Sequence, residues 1–321
     1  MILDILAYGV FFLATALTYA IVCVGLNLQW GQTGLFNVGV AGFVAIGAYT
    51  SALLTTPPAP GRFGGYDLPI IVGWVAAMLA AAAAAWLIGK ITLRLRADYL
   101  AITTFGVATV IQLVALNAEP LTGGPFGIGF IPRPFASLAE QVALYDLLHL
   151  ALVAAVLVAV YLAVEQLAVS PWGRVLRAIR EDEEAAVSLG KNANSFRLQA
   201  FVLGSAIMGL AGAMQAHFIG FIAPENYLPA LTFQVWAMLI IGGSGNNRGA
   251  ILGAVLVWGL WSFSGAAIGS FVPADLQARA ATLRIVAVGV ALVAILLWRP
   301  SGLLKEEKMV SRHVSPGARR L

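Results

Sequence analysis

The densest cluster of ionisable side chains runs from Ser170 to Arg197. Here Arg174, Arg177 and Arg180 precede four adjacent acids, Glu181-Asp182-Glu183-Glu184. Anionic lipid repels such an acidic run, so a segment of this kind calls for a protein partner. Elsewhere the residues that carry chemistry are scattered. His149, His217 and His313 form no metal pair at helical spacing. The glycine run Gly242-Gly243-Ser244-Gly245 continues as Asn-Asn-Arg, where a phosphate-cradling loop has Gly-Lys-Ser/Thr. The serines lack nearby His/Asp partners. The single cysteine, Cys23, excludes a disulfide framework and a thiolate cluster, and reads as a small buried apolar residue. No enzyme signature remains and no cofactor is expected in this chain. Any nucleotide it depends on must be hydrolysed by another protein.

The elements that position the acidic cluster are apolar. Of 321 residues, 60% are hydrophobic and 11% charged, with a mean hydropathy of +0.88. A soluble chain carries roughly 25% charged residues, so this one must face lipid. A membrane span needs about 20 mostly apolar residues. That criterion predicts about nine spans (8–10), at 5–28, 35–54, 68–89, 99–117, 145–167, 196–221, 228–241, 250–269 and 280–298. The seventh is short and glycine-rich at its end, which suits a re-entrant or broken helix as well. The first lacks the basic flank and cleavage site of a signal peptide and reads as a retained span. The fold class is therefore an all-α polytopic bundle. Its membrane domain covers 1–304, with a loop at 168–197, and a cytoplasmic tail covers 305–321.

Charge sets the orientation. Lys90, Arg94, Arg96, Arg174, Arg177, Arg180, Lys191, Arg197, Arg248, Arg299, Lys305, Lys308, Arg312, Arg319 and Arg320 fall on one side. Arg62, Arg133, Arg279 and Arg284 fall on the other. The positive-inside rule places the first group, and the C-terminus, in the cytoplasm, and nine spans then leave the N-terminus outside. Proton-coupled transport has little support, because the spans hold amides (Asn27, Gln29, Asn37, Gln112, Asn117, Gln199, Gln215, Gln234) rather than acids. His217 is the one midspan group that titrates near neutrality.

Within the loop, Val175, Leu176, Ile179, Ala185, Ala186 and Leu189 recur near helical spacing, after Pro171 and before a capping Gly190. This predicts a short amphipathic helix. Residues 75–86 are largely alanine, and Ser205, Gly209 and Ala213 have the small-xxx-small spacing of close helix packing. Two polar segments remain. Gly31, Gln32, Thr33, Gly34, Asn37, Gly39 and Gly42 read either as an interrupted helix lining a path or as a turn between spans. Thr122-Gly123-Gly124 reads as the outer mouth, as a docking surface, or as simple turn chemistry.

Glu183-Glu184-Ala185-Ala186 followed by Gly190 resembles the EAA loop of ABC importer permeases. The longer string SPWGRVLRAIREDEEAAVSLG resembles the LivM/LivH permeases of branched-chain amino-acid importers. Gly25-Leu26-Asn27-Leu28, Gly31-Gln32, Gly42-Phe43 through Thr50, Thr122-Gly123-Gly124, Gly209 to Ala213, Gly242 to Gly245 and Arg299-Pro300-Ser301-Gly302-Leu303 extend the likeness, closer to the LivM branch. The stretch GLFNVGVAGF at 34–43 departs from the Ser-x-Gly-His-Ala-like string of many relatives.

The resemblance implies an ABC permease fold in a bacterial inner membrane and a heterodimer with a second, homologous permease. It also implies two cytosolic ATPases that bind ATP and Mg, a periplasmic solute-binding protein, and no nucleic acid. Arg180, Glu181, Asp182, Glu183, Glu184, Ala185, Ala186 and Gly190 would couple to the ATPase. Gln32, Thr33, Asn37, Thr122, Gly123 and Gly124 are the candidates for the solute path. Leucine, isoleucine and valine are the first-choice solutes, with urea, other short amides or other amino acids as alternatives in the same family. A stand-alone channel or secondary transporter is the different-class alternative, but it has no use for an acidic cytoplasmic loop.

Overall fold

A computed structural model describes residues 2–306, apart from 60, 96, 139–141, 272 and 300. The predicted tail beyond Glu306, with Lys308, Arg312, His313, Arg319 and Arg320, lies outside the described residues, as do Arg96 and Pro300.

The described chain is almost wholly helical. In order, the helices are α1 (Ile2–Thr33), α2 (Val40–Thr55), α3 (Ile70–Thr92), α4 (Ala97–Asn117) and the single turn α5 (Glu119–Thr122). Then come α6 (Val142–Val169), α7 (Pro171–Glu181), α8 (Glu183–Ser188), α9 (Ala193–Ile219), α10 (Pro229–Gly242), α11 (Asn247–Phe271) and α12 (Gln277–Trp298). Five are long and apolar enough to cross a membrane: α1 from Tyr8, α3, α4 from Asp98, α6 from Leu144, and α9. The apolar helices α2 and α10 are shorter. At 14 residues, α10 spans about 21 Å. It is continuous, so the broken-helix alternative for this segment does not hold.

Small residues draw the centre together. The buried face of α3 is Gly73, Ala77, Ala81, Ala85 and Gly89, one residue every four. Ile71, Val75, Leu79, Trp86 and Leu87 stand exposed on its other side. A soluble helix buries its large apolar residues. This one buries its smallest and offers the large ones to lipid, the pattern of helix packing inside a bilayer. α9 lies against α1, α2 and α3. A side chain at Gly47 of α2 would collide with the backbone of Gly209, and one at Gly212 with the Val44 carbonyl. The chain is a multi-pass membrane protein.

Two boundaries differ from the sequence reading. α1 continues to Thr33 instead of stopping near residue 28, because Asn27 and Gln29 find partners on neighbouring helices and have no need to break out to water. α2 begins at Val40 rather than 35. Gly34, at φ +70°, ends α1, and 34–39 is a non-helical link held inside the protein.

The links gather at two opposite ends. One end carries Lys90, Arg94, Arg174, Arg177, Arg180, Lys191, Arg197 and Arg248, and there the segment 301–306 pairs with the end of α10 through Leu303 N–H to Ile241 O and Leu304 N–H to Gly242 O, both 2.9 Å. At the other, Phe63 N–H donates to Pro120 O (2.6 Å) and Ile128 forms an isolated antiparallel bridge with Ile222.

Candidate functional site

The arginine-rich end carries the α7–α8 hairpin, and local chemistry explains its shape. Ser170 caps α7, its hydroxyl accepting from Gly173 N–H, and Pro171 occupies the first helical position, where no N–H is needed. Gly173, Leu176 and Ile179 face inward. The single helix expected over this stretch is in fact two. Asp182 adopts an extended conformation (φ −152°, ψ 100°), and its carboxylate accepts from Ala185 N–H at 2.9 Å, capping α8. Side-chain capping by Asp competes with helix continuation, and here it wins.

Gly190 ends α8 as expected. At φ +80° its N–H donates to Val187 O (2.8 Å) and Lys191 N–H donates to Ala186 O (3.2 Å), the paired bonds of a Schellman motif. Asn192 then caps α9 by accepting from Ser195 N–H (3.1 Å).

The acids divide by role. Asp182 is the cap. Glu183 pairs with Arg197 at 2.8 Å. The Glu181 side chain is 74% exposed and reaches only Arg180, at 3.7 Å. Glu184 is exposed. Ala186 packs inward with Ile179 and Ala193, whereas Ala185 is exposed. Val187 (51%) and Leu189 (80%) are exposed apolar side chains on the same short helix and its exit. The hairpin therefore offers a small apolar knob, Ala185, Val187 and Leu189, edged by Glu181 and Glu184.

Arg180 faces the bundle instead. Its guanidinium donates to the Gly31 carbonyl in the last turn of α1 and grips both carboxylate oxygens of Glu306, at 2.9 and 3.0 Å. Behind Gly31, the wholly buried Asn27 donates to Asn247 Oδ1 and accepts from Gly245 N–H, each at 2.8 Å. Asn247 donates in turn to Glu165 Oε2 at 2.8 Å. Asn27 was read from sequence only as one of the span amides, and Asn247, Glu165 and Glu306 were not singled out. Glu165, an ionisable group inside an apolar stretch, carried a usable signal, whereas Glu306 carried none.

The predicted path residues fall into two groups at opposite ends. Gln32, Thr33 and Asn37 are buried at the arginine-rich end. Asn37 donates to Gln29 Oε1 (2.7 Å), accepts from Gly39 N–H (2.8 Å), and its carbonyl accepts from Trp236 Nε1 (2.9 Å). Gln29 donates to Phe201 O (2.8 Å) and Ser205 Oγ (3.0 Å). The Thr33 hydroxyl donates to Gln29 O, and Gln32 Nε2 reaches Gly245 O at 3.4 Å. Thr122, Gly123 and Gly124 sit at the other end. The Thr122 hydroxyl donates to Ala115 O (2.6 Å) and Ala118 O (2.8 Å), and Gly123 approaches Gly127 too closely for any side chain. His217, read as a possible titrating group, is wholly buried with Nε2 on Ser51 Oγ (2.8 Å) and Nδ1 on Pro132 O (2.6 Å). It ties α2, α9 and the 128–133 strap together. Among the described residues no cluster of His, Cys, Asp and Glu suits a metal ion.

The profile of the branched-chain amino acid transport system permease component matches residues 8–297. The chain belongs to that family.

Similar proteins sharpen the placement of this permease. It is 36% identical over 307 residues to the high-affinity branched-chain amino acid transport system permease protein LivM of Escherichia coli K12, covering 89% of this chain and 67% of the relative. A probable branched-chain amino acid transport permease protein LivM of Methanocaldococcus jannaschii is 28% identical over 327 residues, covering 91% and 92%. LivH of Escherichia coli K12, the permease protein of a high-affinity branched-chain amino acid transport system, is 25% identical over 257 residues, covering 75% and 79%. No solved structure matches this chain.

Proposed function

We propose that the chain is the LivM-type permease subunit of an ATP-driven importer of leucine, isoleucine and valine. It pairs with a second, homologous permease, takes solute from a periplasmic binding protein, and is driven by two cytosolic ATPases. In this reading α2 and α10–α12 complete a set of about nine spans, the arginine-rich end is cytoplasmic, and the N-terminus lies outside. The observation that carries the proposal is the α7–α8 hairpin. It is too polar to enter lipid and is fixed to the bundle through Arg180. It presents Leu189 and Val187 beside the exposed acids Glu181 and Glu184. An apolar centre with a charged rim is how a protein partner is held and steered.

ATP-driven movement of the hairpin would shift the bundle between outward- and inward-facing states. Gln32, Thr33 and Asn37 would act at the inner end of the path and Thr122, Gly123 and Gly124 at its outer mouth. Asn37 and Thr122 would act mainly by fixing the backbone there, since their side-chain polar atoms are engaged within the chain, whereas Gln32 Oε1 is buried without a partner.

The test is ATP-driven uptake of labelled leucine by the complete complex in proteoliposomes, comparing wild type with Glu181→Arg/Glu184→Arg. Reversing two rim charges should weaken ATPase retention and uptake by about tenfold while leaving membrane insertion unchanged. Wild-type uptake of urea in place of leucine would move the solute assignment within the family. Wild-type transport that continues without ATP or ATPases would sink the importer reading.

A further inference from the structure

We propose that Arg180 and Glu306 form the joint through which displacement of the α7–α8 hairpin is passed to α1 and to the turn ahead of α11. This deepens the proposed function and rests on it. Three parts of the chain that are far apart in sequence meet at one guanidinium. Arg180 belongs to the hairpin, Gly31 to the last turn of α1, and Glu306 to the segment that follows α12. The fork of the guanidinium makes this possible, because separate N–H groups serve the carbonyl and the carboxylate at once.

Each partner of Arg180 is itself fixed. Glu306 continues a strap that is hydrogen-bonded to the end of α10 at Ile241 and Gly242, and its carboxylate lies against Gly245, where an added Cβ would sit 2.8 Å from Glu306 Cδ. Asn246 Nδ2 secures the strap again at Lys305 O, at 2.9 Å. Gly31 is packed on Gly245 and Asn27, and Asn27 leads through Asn247 to Glu165 of α6. Pulling on Arg180 therefore loads α1 directly, and α6, α10 and α11 through fully paired polar contacts.

The ion pair is largely shielded, with side chains 23% and 33% exposed. Such a pair adds little net stability compared with apolar packing, so its use lies in fixing which parts move together.

The assay uses the complete complex in proteoliposomes and reads leucine moved per ATP hydrolysed, alongside ATPase recovery. Glu306→Gln should keep the ATPases bound and hydrolysing within about twofold, yet lower the transport ratio by roughly tenfold, a coupling of ordinary size. Arg180→Lys, which keeps the charge but lacks the fork, should give an intermediate ratio. A ratio unchanged from wild type in Glu306→Gln overturns the proposal. So does a parallel fall in yield, hydrolysis and uptake at constant ratio, the mark of a merely structural role.

A second measurement leaves the joint intact. In a Cys23→Ala background, spin labels at Leu189→Cys and Lys305→Cys should keep their separation between the nucleotide-free and the ATP-trapped complex. A separation that changes beyond the width of the label distribution refutes a rigid joint. A wild-type complex that shows no ATP-dependent uptake fails the importer reading itself, and the inference falls with it.

Discussion

Gly31 shows how much one position can hold. It stands in the last turn of α1 where helix, turn and hairpin converge, and its carbonyl accepts from Arg180. A methyl group there would land on the Asn27 side-chain oxygen and 2.6 Å from Gly245 N. Gly31→Ala should thus break the Asn27–Gly245 bond and cost about 2 kcal/mol or more, read as a lower unfolding temperature of the purified complex. Gly106 of α4 has open space within 4 Å, so Gly106→Ala should be neutral or stabilise by about 0.5–1 kcal/mol. Equal effects at the two positions would contradict the packing described. The sequence marks Gly31 only as one glycine in a polar run. The partners that make it irreplaceable, Asn27 and Gly245, lie four and more than two hundred residues away, and no local pattern announces them.

At the scale of the element, what is periodic was legible and what is settled by competition was not. Every predicted span falls on a helix because apolar length is a property of the local sequence. The small-residue faces of α3 and α9 follow from spacing in the same way. The left-handed Gly190 was readable because few other residues stop a helix as it does. The break at Asp182 was not, since Val175 to Leu189 keeps nearly helical spacing through it and only the carboxylate's bond to Ala185 N–H decides the outcome. Nor was the true end of α1, where cross-helix partners for Asn27 and Gln29 let the helix run on to Thr33.

The break carries its own prediction. Asp182→Ala removes the cap of α8, worth about 1 kcal/mol, and should reduce ATPase recovery with little effect on the stability of the bundle. Asp182→Asn, an equally good cap, should retain recovery. If the Asn variant loses the ATPases as fully as the Ala variant, the charge matters and the cap does not.

The whole molecule is polarised between two ends. Basic side chains, the hairpin, the 301–306 strap and the buried Asn27–Asn247–Glu165 chain share one end. The turn at Thr122–Gly124, the Ile128–Ile222 bridge and the strap on His217 share the other. The sequence separated these ends through its charges, but it grouped Gln32, Thr33 and Asn37 with Thr122, Gly123 and Gly124 as candidates for one path. In the fold the two groups stand at opposite ends.

The most direct test places a photo-crosslinking side chain at Leu189, on the hairpin, and in a second protein at Phe126, which is 83% exposed at the opposite end. Both are activated in intact cells that express the full transport operon. Position 189 should capture a nucleotide-hydrolysing subunit and position 126 should not. Capture of the ATPase from position 126, or of lipid alone from position 189, would contradict this.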